Sequence, residues 1–185
     1  VSLFAQKAPP KSNILVPYRV KNLWGLSDTL GKINVQPIYK AVKNFHHYDY
    51  GKVKSLFVVT TSKGDAVIDE NQKVWLNELT SKAYDSVLPD PYNPKYIYVF
   101  KSGKMGVFAG GKELIKPIYT EVTAEENESF LVCEKYGIFG LINSKGVMVI
   151  PMEYIRISGN WRENDKGGPK FVWDAEGMIV DKKFY

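Results

Sequence analysis

Phe139-Gly140-Leu141-Ile142-Asn143-Ser144-Lys145-Gly146-Val147-Met148-Val149-Ile150-Pro151-Met152-Glu153-Tyr154 holds two short apolar runs parted by a turn-forming tetrapeptide. Ahead of it, Ser129-Phe130-Leu131-Val132-Cys133-Glu134-Lys135 reads as a strand and Tyr136-Gly137 as a turn, because glycine accepts the positive φ of a tight hairpin. Ile138 to Ile142 is then a second strand, Asn143 to Gly146 a second turn and Val147 to Ile150 a third strand, which Pro151 ends or confines to an edge. The two turns lie nine residues apart, room for one strand of about five or six residues. Links this short permit antiparallel pairing alone, since a parallel crossover needs about a dozen residues or more.

The same grammar recurs along the chain. A turn residue (Asn22, Lys63, Gly103, Gly137, Gly168) is followed three places later by Gly25, Ala66, Gly106, Gly140 and Phe171. A second turn follows at Gly31, Gln72, Gly111, Gly146 and Gly177, and then Tyr39, Tyr84, Tyr119, Tyr154 and Tyr185. The last step is eight residues in four copies and twelve in the second. A fixed period of this kind is the mark of a repeat architecture. The predicted fold is all-β: five tandem antiparallel β-meanders of about three strands each, spanning about residues 16–45, 55–88, 96–123, 128–158 and 162–185. They form one repeat domain over 16–185 behind an N-terminal segment 1–15. The array is open and curved or partly closed and propeller-like, and so few strands per unit favour the open form. Asp28, Asp69, Asn143 and Asp174 stand three places after the repeat's central position, where their side chains can bond the backbone of the following turn. Tyr39/Val42, Tyr84/Val87, Tyr119/Val122 and Tyr154/Ile157 share a three-residue offset, which calls for a bend or bulge if both members are to reach the core.

Leu23-Trp24-Gly25-Leu26 with Gly31-Lys32, and Phe139-Gly140-Leu141-Ile142-Asn143 with Lys145-Gly146 and Pro151, resemble the bacterial WG repeat family over about residues 16 to 185. Its usual form is an aromatic-Gly-Leu-Ile-Asp stretch, then Gly-Lys, then Ile-Pro-x-x-Tyr. Met105, Phe139, Asp65 and Lys170 take the Trp place in the later copies. The resemblance implies an all-β repeat protein, commonly secreted or surface-associated, and brings no defined activity.

Composition fits a globular β-protein. The 185 residues are 44% hydrophobic, 24% charged and 14% aromatic, with 12 Tyr and 9 Phe. The net charge of +5 is spread over turn lysines such as Lys32, Lys73, Lys112 and Lys145, which suit solubility and edge protection. With three arginines and no basic cluster interleaved with aromatics, nucleic acid is not the expected partner. No apolar run approaches the roughly 20 residues that span a bilayer as a helix. Val1-Ser2-Leu3-Phe4-Ala5-Gln6 is similar to the tail of a secretory signal peptide cleaved near Ala5, although Leu3 fits the small-residue rule poorly; an ordinary first strand is the other reading. The expectation is an exported protein.

Chemistry is sparse. Gly106 to Lys112 matches G-x-x-x-x-G-K, but Glu113 follows where a phosphate loop needs Ser or Thr, and no helix opens there. His46 and His47 are adjacent and make a poor metal pair even with Asp49. Glu125, Glu126 and Glu128 read as a wet turn, and Cys133 as a buried, inert thiol. No catalytic set, cofactor site or metal site is expected. The repeat aromatics Trp24, Met105 (in the Trp place), Phe139 and the tyrosines are assigned to the core. Tyr48, Tyr50, Tyr92, Trp161 with Arg162, and Trp75 fall outside the frame. Of these, Tyr48, Tyr50, Tyr92, Trp161 and Arg162 are the candidate contacts to a glycan or protein surface, with Trp161 alternatively a cap on the array. The leading expectation is a non-enzymatic binding or interaction module. The alternatives are a spacer segment of a cell-envelope protein and an enzyme with its site on inter-repeat loops.

Overall fold

The computed structural model describes residues 14–43, 56–125, 129–134, 137–163 and 169–178, with the backbone alone at 131, 133, 134, 160–163 and 169–178. The chain divides into two compact units, residues 1–83 with 88–95 and residues 84–87 with 96–185. Every described pairing is antiparallel. None of the described helices is long and apolar enough to cross a membrane.

The first unit holds two sheets. One has the order β1 (Leu15–Val20), β2 (Leu23–Asp28), β3 (Ile33–Tyr39). The other runs β4 (Ala41–Lys43), β5 (Leu56–Thr60), β6 (Asp65–Asp69), β7 (Val74–Leu76). Strand alternation sends Leu15, Leu26, Val35 and Tyr39 to one side of the first sheet, where they meet Phe57, Val59, Ala66 and Ile68 of the second.

The second unit repeats this plan. Its four-stranded sheet runs β8 (Ser86–Pro89, of which Ser86 and Val87 fall in this unit), β9 (Tyr96–Lys101), β10 (Lys104–Ala109), β11 (Lys112–Tyr119). Its five-stranded sheet runs β12 (Glu121–Ala124), β13 (Phe130–Glu134), β14 (Ile138–Ile142), β15 (Met148–Glu163), β16 (Pro169–Met178). Val107, Ile115 and Tyr119 pack with Val122, Phe130, Val132 and Ile142. Tyr96 meets Phe130 edge-on, with ring centroids 4.8 Å apart and planes at 75°.

Two sequence expectations are corrected here. The units are not three-stranded: beyond the first sheet, each has a further strand, supplied by residues that follow the repeat tyrosine. Tyr39 ends β3, the chain bends at Lys40, and Val42 lies in β4 of the next sheet; Tyr119, Thr120 and Val122 do the same. The Lys40 N–H donates to the Thr60 carbonyl at 2.7 Å, and Asp85 N–H to Phe100 at the same distance. The expected bend in Tyr-x-x-Val is therefore present in the first and third copies, where it carries the chain between sheets so that both residues reach one core; the fourth copy lacks it. The structural unit is offset from the sequence repeat accordingly. Nor does the fifth copy form a meander of its own among the described residues. No bend follows Tyr154; β15 continues through Ile157 and pairs with β16 on the fourth sheet. None of the four sheets, as far as the described residues go, closes on itself into a barrel.

The motif glycine owes its place to the register. Trp24 faces Tyr39 while Leu26 faces Val35; Met105 faces Tyr119 while Val107 faces Ile115; Phe139 faces Tyr154 while Leu141 faces Ile150. A step of two residues on the glycine strand is matched by a step of four on its partner, a bulge containing Pro37, Pro117 or Pro151. The bulged backbone folds down over the glycine. A Cβ on Gly25 would lie 2.2 Å from the Val35 carbonyl oxygen, and one on Gly106 2.3 Å from that of Ile115. The second copy has Ala66 here, and its β6/β7 ladder stops at Val67 opposite Leu76. The chain leaves instead into the helical turn α1 (Glu78–Ser81), built from its four extra residues and capped by Asn77, whose side chain accepts from Thr80 N–H. Ser81 Oγ donates to the Asp65 carbonyl at 2.6 Å, in place of the missing strand.

The Asx turns are as expected at Asp28, Asp69 and Asn143, while the side chain of Asp174 lies outside what is described. Asp28 Oδ1 accepts from Leu30 and Lys32 N–H, Asp69 Oδ1 from Asn71 and Lys73, and Asn143 Oδ1 from Lys145 and Val147, all at 2.9–3.1 Å. In the first hairpin turn of the second copy the positive φ falls on Gly64, one residue after Lys63.

Candidate functional site

Tyr92 is the candidate contact whose side chain is described. It stands on the loop after β8, and the loop is pinned from below. Asp90 is buried, and its Oδ1 accepts from Tyr92 N–H at 2.8 Å and Asn93 N–H at 3.0 Å; Asn93 Oδ1 in turn accepts from Lys95 N–H. Prolines at 91 and 94 restrict the backbone further. The result is a tyrosine 70% exposed on a held backbone. Such a ring offers an apolar face and a polar tip at little ordering cost on binding.

The other candidates are placed differently. Tyr48 and Tyr50 lie outside the described residues, as do His46 and His47. Trp161 and Arg162 are not in a loop: they belong to β15, opposite Phe171 and Lys170. The segment was expected to be loop for its Gly, Asn and Asp content; the ladder to β16 overrides that composition. Trp75, expected outside the repeat frame, is tied into a repeat turn. Its Nε1 donates to Asp69 Oδ2 at 3.2 Å, and Lys73 Nζ sits 5.1 Å from the ring centroid. Trp24, assigned to the core, is only half-buried and carries the Arg19 guanidinium 5.4 Å above its ring.

The carboxylates are taken up by structure. Asp28, Asp69 and Asp90 hold backbone N–H groups, and Asp65, in the Trp place, pairs with Lys43 at 3.0 Å and accepts from Thr60 Oγ1 at 2.7 Å. Glu70 Oε2 is buried without a hydrogen-bond partner, and nothing in the structure explains it. Among the described residues no group of three or more His, Cys, Asp or Glu is arranged to hold a metal ion. Gly106 to Lys112, the phosphate-loop look-alike, is strand β10 and a hairpin turn.

Among the described residues one titration, that of Tyr84, is strongly shifted. Burial first, then the hydrogen bond to Glu113 Oε2 (3.0 Å) and its charge, push the Tyr84 hydroxyl from 10.0 up to about 12. The folded chain thus keeps this proton to higher pH than the unfolded chain. The stabilisation it brings is complete below pH 10 and is lost as pH rises through about 12. Tyrosinate absorbance should show a late component in that window, to which Tyr39, raised by burial and by the Glu78 charge, can add; Tyr84→Phe should diminish it, and a Tyr84→Phe curve with the late component undiminished would contradict the Tyr84–Glu113 bond.

Sequence reasoning missed the outer face of the first sheet, where Val16, Tyr18, Val20, Leu23 and Ile33 are all exposed. The alternation Val16-x-Tyr18-x-Val20 was the available signal.

The fold defines an all-β protein of antiparallel meander sheets in which one bulged register recurs. The family model described as WG containing repeat matches two regions of the chain, residues 24–55 and 139–164. Both matches begin at a residue facing a repeat tyrosine, Trp24 in one and Phe139 in the other. No curated protein and no solved structure matches the chain.

Proposed function

We propose that this chain is a non-enzymatic, exported binding module, a tandem array of WG-type units that presents loops to a glycan or protein surface. The observation that carries the reading is Tyr92, exposed on a loop held by the buried Asp90 carboxylate. Support also comes from the repeat positions: their glycines, Asx residues and tyrosines are spent on register, turns and core, which leaves binding to the loops between them. An aromatic anchor of this kind typically contributes about 2 kcal/mol or more to an interface. A ligand detected on glycan and protein arrays should therefore lose at least about tenfold in affinity on Tyr92→Ala, with the unfolding midpoint unchanged. Array profiles that are identical for the two proteins would refute the assignment of Tyr92.

A further inference from the structure

We propose that Met148 and Met152 form a two-thioether site for a soft univalent metal ion of the copper(I) type. The two residues lie on β15 on either side of Ile150, and their sulfurs come down on one spot above Gly140 of β14. A Cβ on Gly140 would stand 2.6 Å from Met152 Sδ and 3.2 Å from Met148 Sδ, so the sulfurs themselves are no more than about 6 Å apart. Gly25 and Gly106 are covered differently. Backbone lies over them, with the Val35 and Ile115 carbonyl oxygens 2.2 and 2.3 Å from the corresponding points. At Gly140 the equivalent oxygen, that of Ile150, stands back at 3.0 Å, and the thioethers take the space.

The repeat itself does not call for methionine here. Register puts Met148 where Ile33 and Glu113 stand, and Met152, two residues before the tyrosine, where Pro37 and Pro117 stand. The fourth copy alone has methionine at both places, and both side chains turn to the same point. The chemistry follows from the donor type. Thioether sulfur is a soft, neutral donor of the kind that selects copper(I). Zinc takes thiolate, imidazole or carboxylate, so a pair of uncharged sulfurs suits a univalent ion better. At the usual metal–sulfur distance of about 2.3 Å, an ion between two sulfurs spans about 4.6 Å. Methionine is unbranched and flexible, so rotation of the side chains alone can set that span. Met148 is 38% exposed and gives the ion a way in. Met152 is half-buried on the cluster that holds Tyr96 and Phe130, which places one side of the site against apolar surface.

Silver(I), a redox-inert ion of the same charge and softness, is the probe. The chain, carrying carbon-13 methionine methyl groups and Cys133→Ser to remove a competing thiol, is titrated with silver(I) nitrate in chloride-free buffer up to about 1 mM. The Met148 and Met152 methyl resonances should move together on one isotherm that saturates at one ion per pair. Met148→Leu and Met152→Leu conserve volume and keep the fold, and each should weaken binding at least about tenfold as read at the remaining methyl. Three results would each overturn the proposal and leave an accidental pair in a packed strand: no movement of either methyl at the highest concentration, separate isotherms for the two, or a leucine variant that leaves its partner's isotherm unchanged. Met105 and Met178 are read separately in the same spectra. Tyr92→Ala should leave the isotherm unchanged, so this result stands apart from the ligand-binding test.

Discussion

Gly106→Ala is expected to destabilise its unit by about 3 kcal/mol or more, a large value for one added methyl group. The new Cβ would sit 2.3 Å from the Ile115 carbonyl oxygen, 2.7 Å from Pro117 N and 2.8 Å from the Lys116 carbonyl carbon. All three are backbone atoms of a bulge whose proline cannot readily re-aim, so no side chain can swing away to relieve the clash. The protein must open the β10/β11 ladder or give up the bulge, and the second course would shift Tyr119 out of the core it shares with Phe130. Gly103→Ala is the control. Its Cβ would meet nothing within 4 Å, and the cost is the left-handed conformation at φ 72°, about 1 kcal/mol. Urea unfolding of the two variants should separate them by at least about 2 kcal/mol. Equal midpoints would mean that Gly106 is no more than a flexible link.

Phe130→Ala is expected to cost about 3–5 kcal/mol. Phe130 is fully buried at the start of β13, opposite Ile142 within its sheet and edge-on to Tyr96 of the facing one. Removing the ring leaves a cavity between two sheets whose positions are fixed by hydrogen-bonded ladders, so the walls have little freedom to collapse. Ile118→Ala provides the contrast: at 57% exposure it should change stability by no more than about 0.5 kcal/mol. Should the two variants unfold together, the apolar cluster around Phe130 does not hold this unit.

Much of the fold is legible in the chain because its signals are local. Turn chemistry at Gly103, Gly137 and Gly146, the Asx bonds of Asp28, Asp69 and Asn143, and the bend in Tyr-x-x-Val each depend on residues a few places apart. What the sequence leaves open is through-space. A period identifies equivalent residues, but it does not say that Val42 and Val122 join the sheet after their own tyrosine. The need for glycine at positions 25 and 106 arises from the backbone of a bulge on the partner strand, nine to twelve residues away, whereas an added Cβ at Gly140 would first meet the Met152 side chain. The fifth copy keeps the repeat spacing yet has Phe171 where a glycine would stand, and its strand stays on the fourth sheet. Of the candidate contacts, Tyr92 was legible as an exposed loop aromatic because prolines and an Asx residue bracket it. Trp161 and Arg162 were misplaced because turn-forming composition concealed a ladder set by a distant strand. The outer face of the first sheet was signalled by the alternation Val16-x-Tyr18-x-Val20, but only the register shows that its counterparts in other sheets are buried.

Cross-strand backbone contacts, measured by nuclear Overhauser effects on isotope-labelled protein, test the bulged register most directly. Leu26 should face Val35 while Trp24 faces Tyr39, and likewise Val107 with Ile115 and Met105 with Tyr119. An uninterrupted ladder would instead bring Trp24 opposite Pro37 and Met105 opposite Pro117. Contacts of that second kind would contradict the bulge, and with it the physical reason for the repeat's glycine and for the burial of its tyrosine.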